Sequence, residues 1–457
     1  MPTTQEPAVP LKLYPGSPPL RHTFASTVQS LMMLVALVLS LPFHLLFHYV
    51  FFRRRSPLRI QGRHPVAAVL NHVVKYLFGA FPLPFGRLIY ATQLSVGRDP
   101  WIERIETHEG VRGIWVQPPG TDRRCDDLVL FWIHGGAFDH DIIGSSIPFY
   151  KSLALELNNN TPQRQFSIFV LDYHLAPEMV YPSQLIELEA GYRYLTQTIG
   201  IDSKDICLGG DSAGGNLVMS FCLHLTKPNP LLPTPSIPLS KPGSVFLMSP
   251  WSSLLPLASR KSRTSYAHST ADFLMTPWVT IGAFHYLGLD PPFQAGPSWN
   301  PLKWFGILAD KMPRLELEHD FDPLFNDPYI NPGPEVVAKE SFDWYAQALP
   351  SRGRTAIVWG GMEIFADDIA ALCRALKMAG VGPTEIFHPY KCHDWPLFDY
   401  SFPFLSRTKA GGPSSRFDYG MKEMAKFLRG VSTPIFPPVS LFSSPIGFVT
   451  KRFPSSI

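Results

Sequence analysis

The sequence predicts an α/β fold, a mostly parallel sheet with helices on both faces, and two observations carry that prediction. From about residue 101, short apolar runs of strand length alternate with segments of helical periodicity. Two of the apolar runs stop on glycine pairs, at Gly135-Gly136 and Gly209-Gly210, as buried strands do when the chain must turn sharply into the next element.

The strand candidates are Leu128 to Ile133, Ser167 to Asp172, Ile206 to Leu208, Ser244 to Met248, Thr355 to Trp359 and Pro383 to His388. Each is an apolar run too short for a helix of its own. Between them, helical patterns cover Pro182 to Thr198, Ala213 to about Thr226, Phe365 to Met378 and Phe417 to Leu428. Residues 252–350 break this rhythm with aromatics and prolines, and are expected to form a cap insertion within a main domain spanning 101–432. Residues 1–23 read as a disordered tail, 53–100 as a linker and cap-forming segment, and 433–457 as an irregular C-terminal tail.

Residues 24–52 contain no Asp, Glu, Lys or Arg, and the run from Leu31 to Phe52 is almost entirely apolar before Arg53-Arg54-Arg55. Twenty-odd such residues match a bilayer's hydrocarbon thickness as a helix, so 24–52 is expected to be a membrane segment that anchors the protein without serving its chemistry. Five arginines just beyond it, against Lys12 and Arg21 before it, place the main domain in the cytosol by the positive-inside rule. The sequon Asn159-Asn160-Thr161, in a polar stretch expected to be a loop, argues for the lumen instead, so topology stays open.

Composition narrows the function classes. The 457 residues carry 40 Lys plus Arg against 37 Asp plus Glu, a net charge of +3, which excludes an electrostatic nucleic-acid binder. Hydrophobic residues at 45% exclude a wholly disordered chain. Five cysteines without a C-x-x-C spacing point away from a structural zinc site and from a disulfide framework.

The chemistry-bearing motif is Gly210-Asp211-Ser212-Ala213-Gly214, a G-x-S-x-G between a predicted strand and helix. Such a turn holds the serine in a strained conformation, hydroxyl exposed, with a helix N-terminus favouring developing negative charge. The backbone N–H groups of Gly135, Gly136 and Ala213 are the expected oxyanion hole, with His134 orienting that loop. Asp139-His140-Asp141 has the residue types of a metal site but reads as a solvated loop, so no metal is expected. Glu363, just past the strand ending at Trp359, and His393, five residues past the strand ending at His388, complete a nucleophile–acid–histidine order. His388 is expected to be structural. Asp367 belongs to the first turn of a helix, where the dipole explains it.

With these motifs the chain resembles the hormone-sensitive-lipase-like branch of the α/β-hydrolases, which includes arylacetamide deacetylases and steryl acetyl hydrolases. The matching segments are His134-Gly135-Gly136, Asp172 to Glu178, Gly210 to Gly215, Met248-Ser249-Pro250-Trp251 and Gly361 to Asp368, spread over residues 100–430. Three positions depart from the family pattern: Ala137 stands for a third glycine, His174 for an arginine, and Glu363 for the usual aspartate. Glutamate there, an N-terminal apolar segment and Asp327 to Pro332 resemble the steryl acetyl hydrolase subgroup.

The resemblance implies a membrane-bound serine carboxylester hydrolase of the endoplasmic reticulum, with catalytic Ser212, His393 and Glu363 and no cofactor. Its expected partner is a small lipophilic ester, such as a sterol acetate, received by a cap rich in aromatics (Trp278, Phe284, Trp299, Trp304, Phe305). Most of those aromatics are expected to serve packing. Two alternatives stand beside this reading: a tailoring hydrolase acting on an ester, lactone or thioester of a specialised metabolite, and a non-catalytic binder on the same scaffold.

Overall fold

The computed structural model describes residues 11–51, 69, 71–75, 82–94, 99–120, 128–142, 144–160, 165–232, 238–254, 272–291, 324, 326–403 and 416–430. The elements in chain order are α1 (Phe24–Leu46), α2 (Leu83–Leu94), β1 (Ile102–Glu106), β2 (Arg112–Val116), β3 (Leu128–Ile133) and α3 (Ile147–Asn160). There follow β4 (Phe166–Leu171), α4 (Ser183–Arg193), β5 (Ile206–Asp211), α5 (Ser212–His224), β6 (Ser244–Met248) and α6 (Thr276–Leu287). The chain continues through α7 (Pro334–Glu340), α8 (Asp343–Ala348), β7 (Thr355–Gly360), α9 (Ala366–Met378), β8 (Thr384–His388), α10 (Trp395–Ser401) and α11 (Tyr419–Leu428).

The eight strands form one sheet in the order β1-β2-β4-β3-β5-β6-β7-β8. β1, β2 and β4 pair antiparallel, and every pairing from β4 through β3 to β8 is parallel. Successive residues of a strand point to opposite faces, so the apolar strands feed two cores at once. Phe131, Ile133, Leu208 and Leu247 pack on one face, and Leu130, Trp132, Cys207 and Phe246 on the other. β4 and β5 flank β3 on opposite sides, so the winding reverses there. A crevice opens beyond the carboxyl ends at such a switch point, and there β3 delivers His134 and β5 delivers Ser212.

All six sequence-derived strands are present within a residue or so, except that β5 runs on to Asp211. β1 and β2 were not anticipated: β1, IERIE, is a half-exposed edge strand with too few apolar residues to announce itself. Residues 11–20 are not a free tail. Tyr14 and Pro15 lie against the 177–183 segment, with Val180 N–H donating to Tyr14 O at 3.0 Å and Tyr14 N–H to Ser183 Oγ at 2.7 Å. Nor is Asn159 in a loop, because it sits exposed in the last turn of α3.

The predicted apolar segment is helical from Phe24 to Phe51, long and apolar enough to cross a membrane. One stripe of it, Ser30, Met33, Leu37, Ser40 and His44, is buried, while Leu31, Val35, Val38, Phe43 and Leu46 face outward. Trp299, Trp304, Phe305 and the predicted C-terminal tail lie outside the described residues. Of the expected cap insertion, α6 lies over the loop at the carboxyl end of β3, whereas α7 and α8 pack on α9 and α5.

Candidate active site

Ser212 stands at the first position of α5 with φ +50°, a left-handed conformation that an L side chain adopts at a cost of about 1–3 kcal/mol. Neighbouring backbone enforces it. A Cβ at Gly214 would overlap the Ile133 carbonyl and come within 2.7 Å of His134 O, and one at Gly210 would lie 2.6 Å from Gly214 C. Glycine at both positions lets β5, the turn and α5 close against β3. Trp251 N–H then fastens the serine's own carbonyl at 2.9 Å. Ser212 is buried to 6% exposure, and its side chain opens at the N-terminus of α5.

The adjoining loop after β3 corrects one sequence-derived assignment. Gly135 N–H donates to Asp211 Oδ2 at 2.9 Å, so this group is already engaged and is not the oxyanion donor expected of it. The next two N–H groups, of Gly136 (φ +99°) and Ala137 (φ +52°), make no hydrogen bond among the described residues. Ala213 lies in the first turn of α5, where helix N–H groups lack intrahelical acceptors. The N–H groups of Gly136, Ala137 and Ala213 are thus the candidate oxyanion donors, with Ala137 in the place assigned to Gly135. His134 stacks on Tyr173 at 4.2 Å, and its Nδ1 lies 2.8 Å from Gly135 O, so it braces the loop. Asp211, buried, also accepts from Trp132 Nε1 at 2.8 Å. Burial, and then the Asp394 charge, push its carboxyl up to about 8.

Glu363 and His393 meet across the ends of β7 and β8. Glu363 Oε2 is 3.0 Å from His393 Nδ1, and neither residue exceeds 1% exposure. The other carboxylate oxygen accepts Gly360 N–H at 2.6 Å and the Ser249 hydroxyl at 3.2 Å. Asp367 is exposed in the first turn of α9. The imidazole is boxed by the ring edges of Phe365 at 5.3 Å and Phe273 at 5.8 Å. Burial raises the Glu363 carboxyl to about 7, against the pull of the imidazole beside it. His388, at the end of β8, is buried and receives Tyr390 N–H on Nδ1, and burial lowers it to about 4.

Two carboxylates here were missed in the sequence. Asp394, at φ +47°, places Oδ2 3.2 Å from His393 Nε2, close enough for charge but not aligned for a hydrogen bond. Burial alone would lower the His393 pKa, but Asp394 and Glu363, one at each ring nitrogen, together raise it well above the ordinary value. Asp272, fully buried, comes from the cap approach. Its two oxygens accept the N–H of Ile364 at 2.7 Å and of His393 at 3.3 Å, tying together the loops that carry acid and base. No local motif marks either residue, since the contacts of Asp272 are made 92 and 121 positions away.

Asp139 and His140 are not a solvated loop. Both are buried, with Asp139 Oδ1 2.6 Å from His140 Nδ1 and Oδ2 3.2 Å from His285 Nδ1 on α6. Burial pushes the Asp139 carboxyl up, but the two imidazoles outweigh it and bring it down to about 2. Among the described residues no group of three or more His, Cys, Asp or Glu is arranged to hold a metal ion. The site thus holds a strained serine after β5, a buried imidazole with a carboxylate at Nδ1, and backbone N–H groups in the loop after β3, while His393 Nε2 makes no hydrogen bond among the described residues.

Comparison with known proteins points to the same fold. Residues 130–327 match the family model of the alpha/beta hydrolase fold. An esterase of Acinetobacter venetianus is 32% identical over 194 residues, covering 42% of this chain and 55% of that protein. Hormone-sensitive lipase of Mus musculus is 38% identical over 147 residues, covering 31% of this chain and 18% of the lipase. Steryl acetyl hydrolase 1 of Saccharomyces cerevisiae is 29% identical over 141 residues, covering 30% of this chain and 29% of that protein. The matched region thus spans little more than half the length of the first of these and less of the others. In three dimensions, an esterase from the bacterial hormone-sensitive lipase family superposes with a TM-score of 0.53 at 22% identity, covering 81% of this chain and 98% of that structure. The chain thus carries an α/β-hydrolase domain and is similar, over part of its length, to esterases and lipases of the hormone-sensitive lipase family.

Proposed function

We propose that the protein is a membrane-anchored serine carboxylester hydrolase that removes a short acyl group, acetyl foremost, from a lipophilic alcohol. The observation that carries the reading is the buried contact of Glu363 with His393 Nδ1, in a fold that also holds Ser212 at φ +50° after β5. Residues 101–432 are read as the catalytic domain, with its cap drawn from 252–350.

In this reading Ser212 Oγ attacks the ester carbonyl carbon while His393 Nε2 takes its proton. Glu363 keeps the ring's proton on Nδ1 and stabilises the imidazolium that forms. The oxyanion rests on the N–H groups of Gly136, Ala137 and Ala213. His393 then returns its proton to the departing alkoxide, releasing the alcohol and leaving an acyl-enzyme. A water, deprotonated by His393, attacks the acyl-enzyme and frees the acid. No cofactor takes part.

Support for a lipophilic substrate comes from the apolar helix Phe24–Phe51, from the aromatic surroundings of His393, and from likeness to a steryl acetyl hydrolase. An anchored enzyme would draw such an ester from the bilayer, with the endoplasmic reticulum the proposed membrane. The test is labelling of full-length protein with a fluorophosphonate, followed by turnover of p-nitrophenyl esters of increasing chain length. Wild type should label and prefer acetyl to butyryl esters, and Ser212→Ala should do neither. Absence of labelling in a folded wild-type preparation would refute the hydrolase reading, and preference for long chains would refute the deacetylase.

A further inference from the structure

The left-handed Ala137-Phe138 pair in the loop after β3 requires a structural answer, and α6 provides one. Ala137 and the next residue, Phe138, are both left-handed, at φ +52° and +65°. Two successive L residues in that region persist only where the surroundings impose it. Those surroundings are chiefly the cap. A Cβ on Gly282 would lie 2.8 Å from both the Cβ and the carbonyl oxygen of Ala137, so α6 lies directly on the alanine and has room for its methyl only because residue 282 is glycine. One turn on, Tyr286 stacks on Phe138 at 3.8 Å and 12°. His285 reaches the Asp139 carboxylate at 3.2 Å. From the other side Arg87 of α2 donates Nε–H to Asp139 O at 2.8 Å, and Ala176 N–H holds Phe138 O at 2.9 Å.

We propose that the cap helix α6 is the back wall of the oxyanion hole: Gly282 and His285 position Ala137 and Asp139, so that the Ala137 N–H is aimed by the seating of the cap. The inference rests on the serine-hydrolase reading, and it goes further by making the cap part of the catalytic geometry as well as a cover for substrate. Gly282 and His285 touch no reacting atom; they are positioning residues. A cap used only for substrate binding would express its mutations in KM. A cap that aims an oxyanion donor expresses them in kcat, because the oxyanion exists only in the transition state and the tetrahedral intermediate.

The test uses the full chain and p-nitrophenyl acetate. Gly282→Ala places a methyl against Ala137, and alanine favours the helix, so the fold of α6 is retained. Its expected effect is a fall in kcat of about 10- to 100-fold, short of the roughly 10²–10³-fold that follows complete loss of an oxyanion donor, with KM within about threefold. Adding Ala137→Gly removes one of the two colliding atoms and relaxes the positive φ, so the double variant should recover most of the loss, a non-additivity expected only of residues in contact. At position 285, Asn keeps a donor near the place of Nδ1 and should retain kcat, whereas Leu should lose it about tenfold. Wild-type turnover with an inert Ser212→Ala control tests the underlying reading separately. With that control passed, the inference is overturned if kcat of Gly282→Ala and His285→Leu stays within twofold of wild type, if the losses fall in KM alone, or if Ala137→Gly brings no recovery.

Discussion

Replacing Glu363 by glutamine tests the role of this carboxylate without altering its shape. Gly360 N–H, at 2.6 Å, and the Ser249 hydroxyl both donate to Oε1. The amide oxygen must occupy that place, because an NH₂ there would face two donors. The NH₂ group therefore points at His393 Nδ1, 3.0 Å from the present Oε2. A donor facing Nδ1 turns that nitrogen into an acceptor and moves the ring proton to Nε2, the atom that must receive the serine proton. The imidazolium also loses its neutralising charge in a pocket poorly screened by bulk solvent, since both residues are at most 1% exposed. Tautomer and charge together should cost on the order of 10³–10⁴-fold in kcat, about 4–5.5 kcal/mol of barrier. Glu363→Asp keeps the charge but falls short by one methylene, and about 10- to 100-fold loss is expected. Asp367→Asn, exposed on α9, should stay within about twofold. The assay is kcat on p-nitrophenyl acetate with circular dichroism and Tm as controls for folding. A folded Glu363→Gln enzyme within tenfold of wild type, or one more active than Asp367→Asn, would refute the assignment.

Three further outcomes are expected. Because His393 is held well above the ordinary histidine value by two carboxylates, kcat/KM should rise with pH along an acid limb whose midpoint lies above 6.5. Asp394→Asn, which tolerates φ +47°, should move that midpoint down in a pH–rate profile. Asp272→Asn leaves one of the N–H groups of Ile364 and His393 facing an NH₂, and should cost about 2 kcal/mol of stability by denaturant titration and about tenfold in kcat. Removing residues 1–20 exposes the surface against which Tyr14 packs and cuts its bonds to the 177–183 segment, so Tm should fall by several degrees; an unchanged Tm would show those contacts to be energetically idle.

The parallel half of the fold was legible because its strands are buried on both faces and read as unbroken apolar runs, such as LVLFWI and FSIFVL. Edge strand β1 was not, because a half-exposed IERIE differs little from a polar loop. Helix α6 also escaped, since TPWVTIGAFHYL is apolar on nearly every side and presents no 3.6-residue stripe. The strained turn at Ser212 is a local device and could be recognised from five residues. Gly135 shows the limit of motif reading: nothing in His134-Gly135-Gly136 reveals that Asp211, 76 positions later, takes its N–H. Asp139 misled for the same reason. Its burial depends on α2 and α6 closing from opposite sides, and neither partner is near it in sequence.

These long-range contacts converge on a single electrostatic problem. Asp211, Asp272, Glu363 and Asp394 are all buried around the one imidazole of His393. Four bare carboxylates in such a space would repel one another strongly, so the structure divides them into different roles. Asp272 and Asp211 accept backbone and indole N–H groups, and burial together with Asp394 drives the Asp211 carboxyl up to about 8. That leaves Glu363 on Nδ1 and Asp394 beside Nε2 as the groups that hold the ring's charge. In the proposed reaction, a base strengthened in this way would accept the serine proton with greater driving force but be neutral in a smaller fraction of molecules at low pH. Within the proposed mechanism, Asp394→Asn is therefore expected to lower the basicity of His393 and to extend activity toward acid, and an unshifted acid limb in that variant would refute the role given to Asp394.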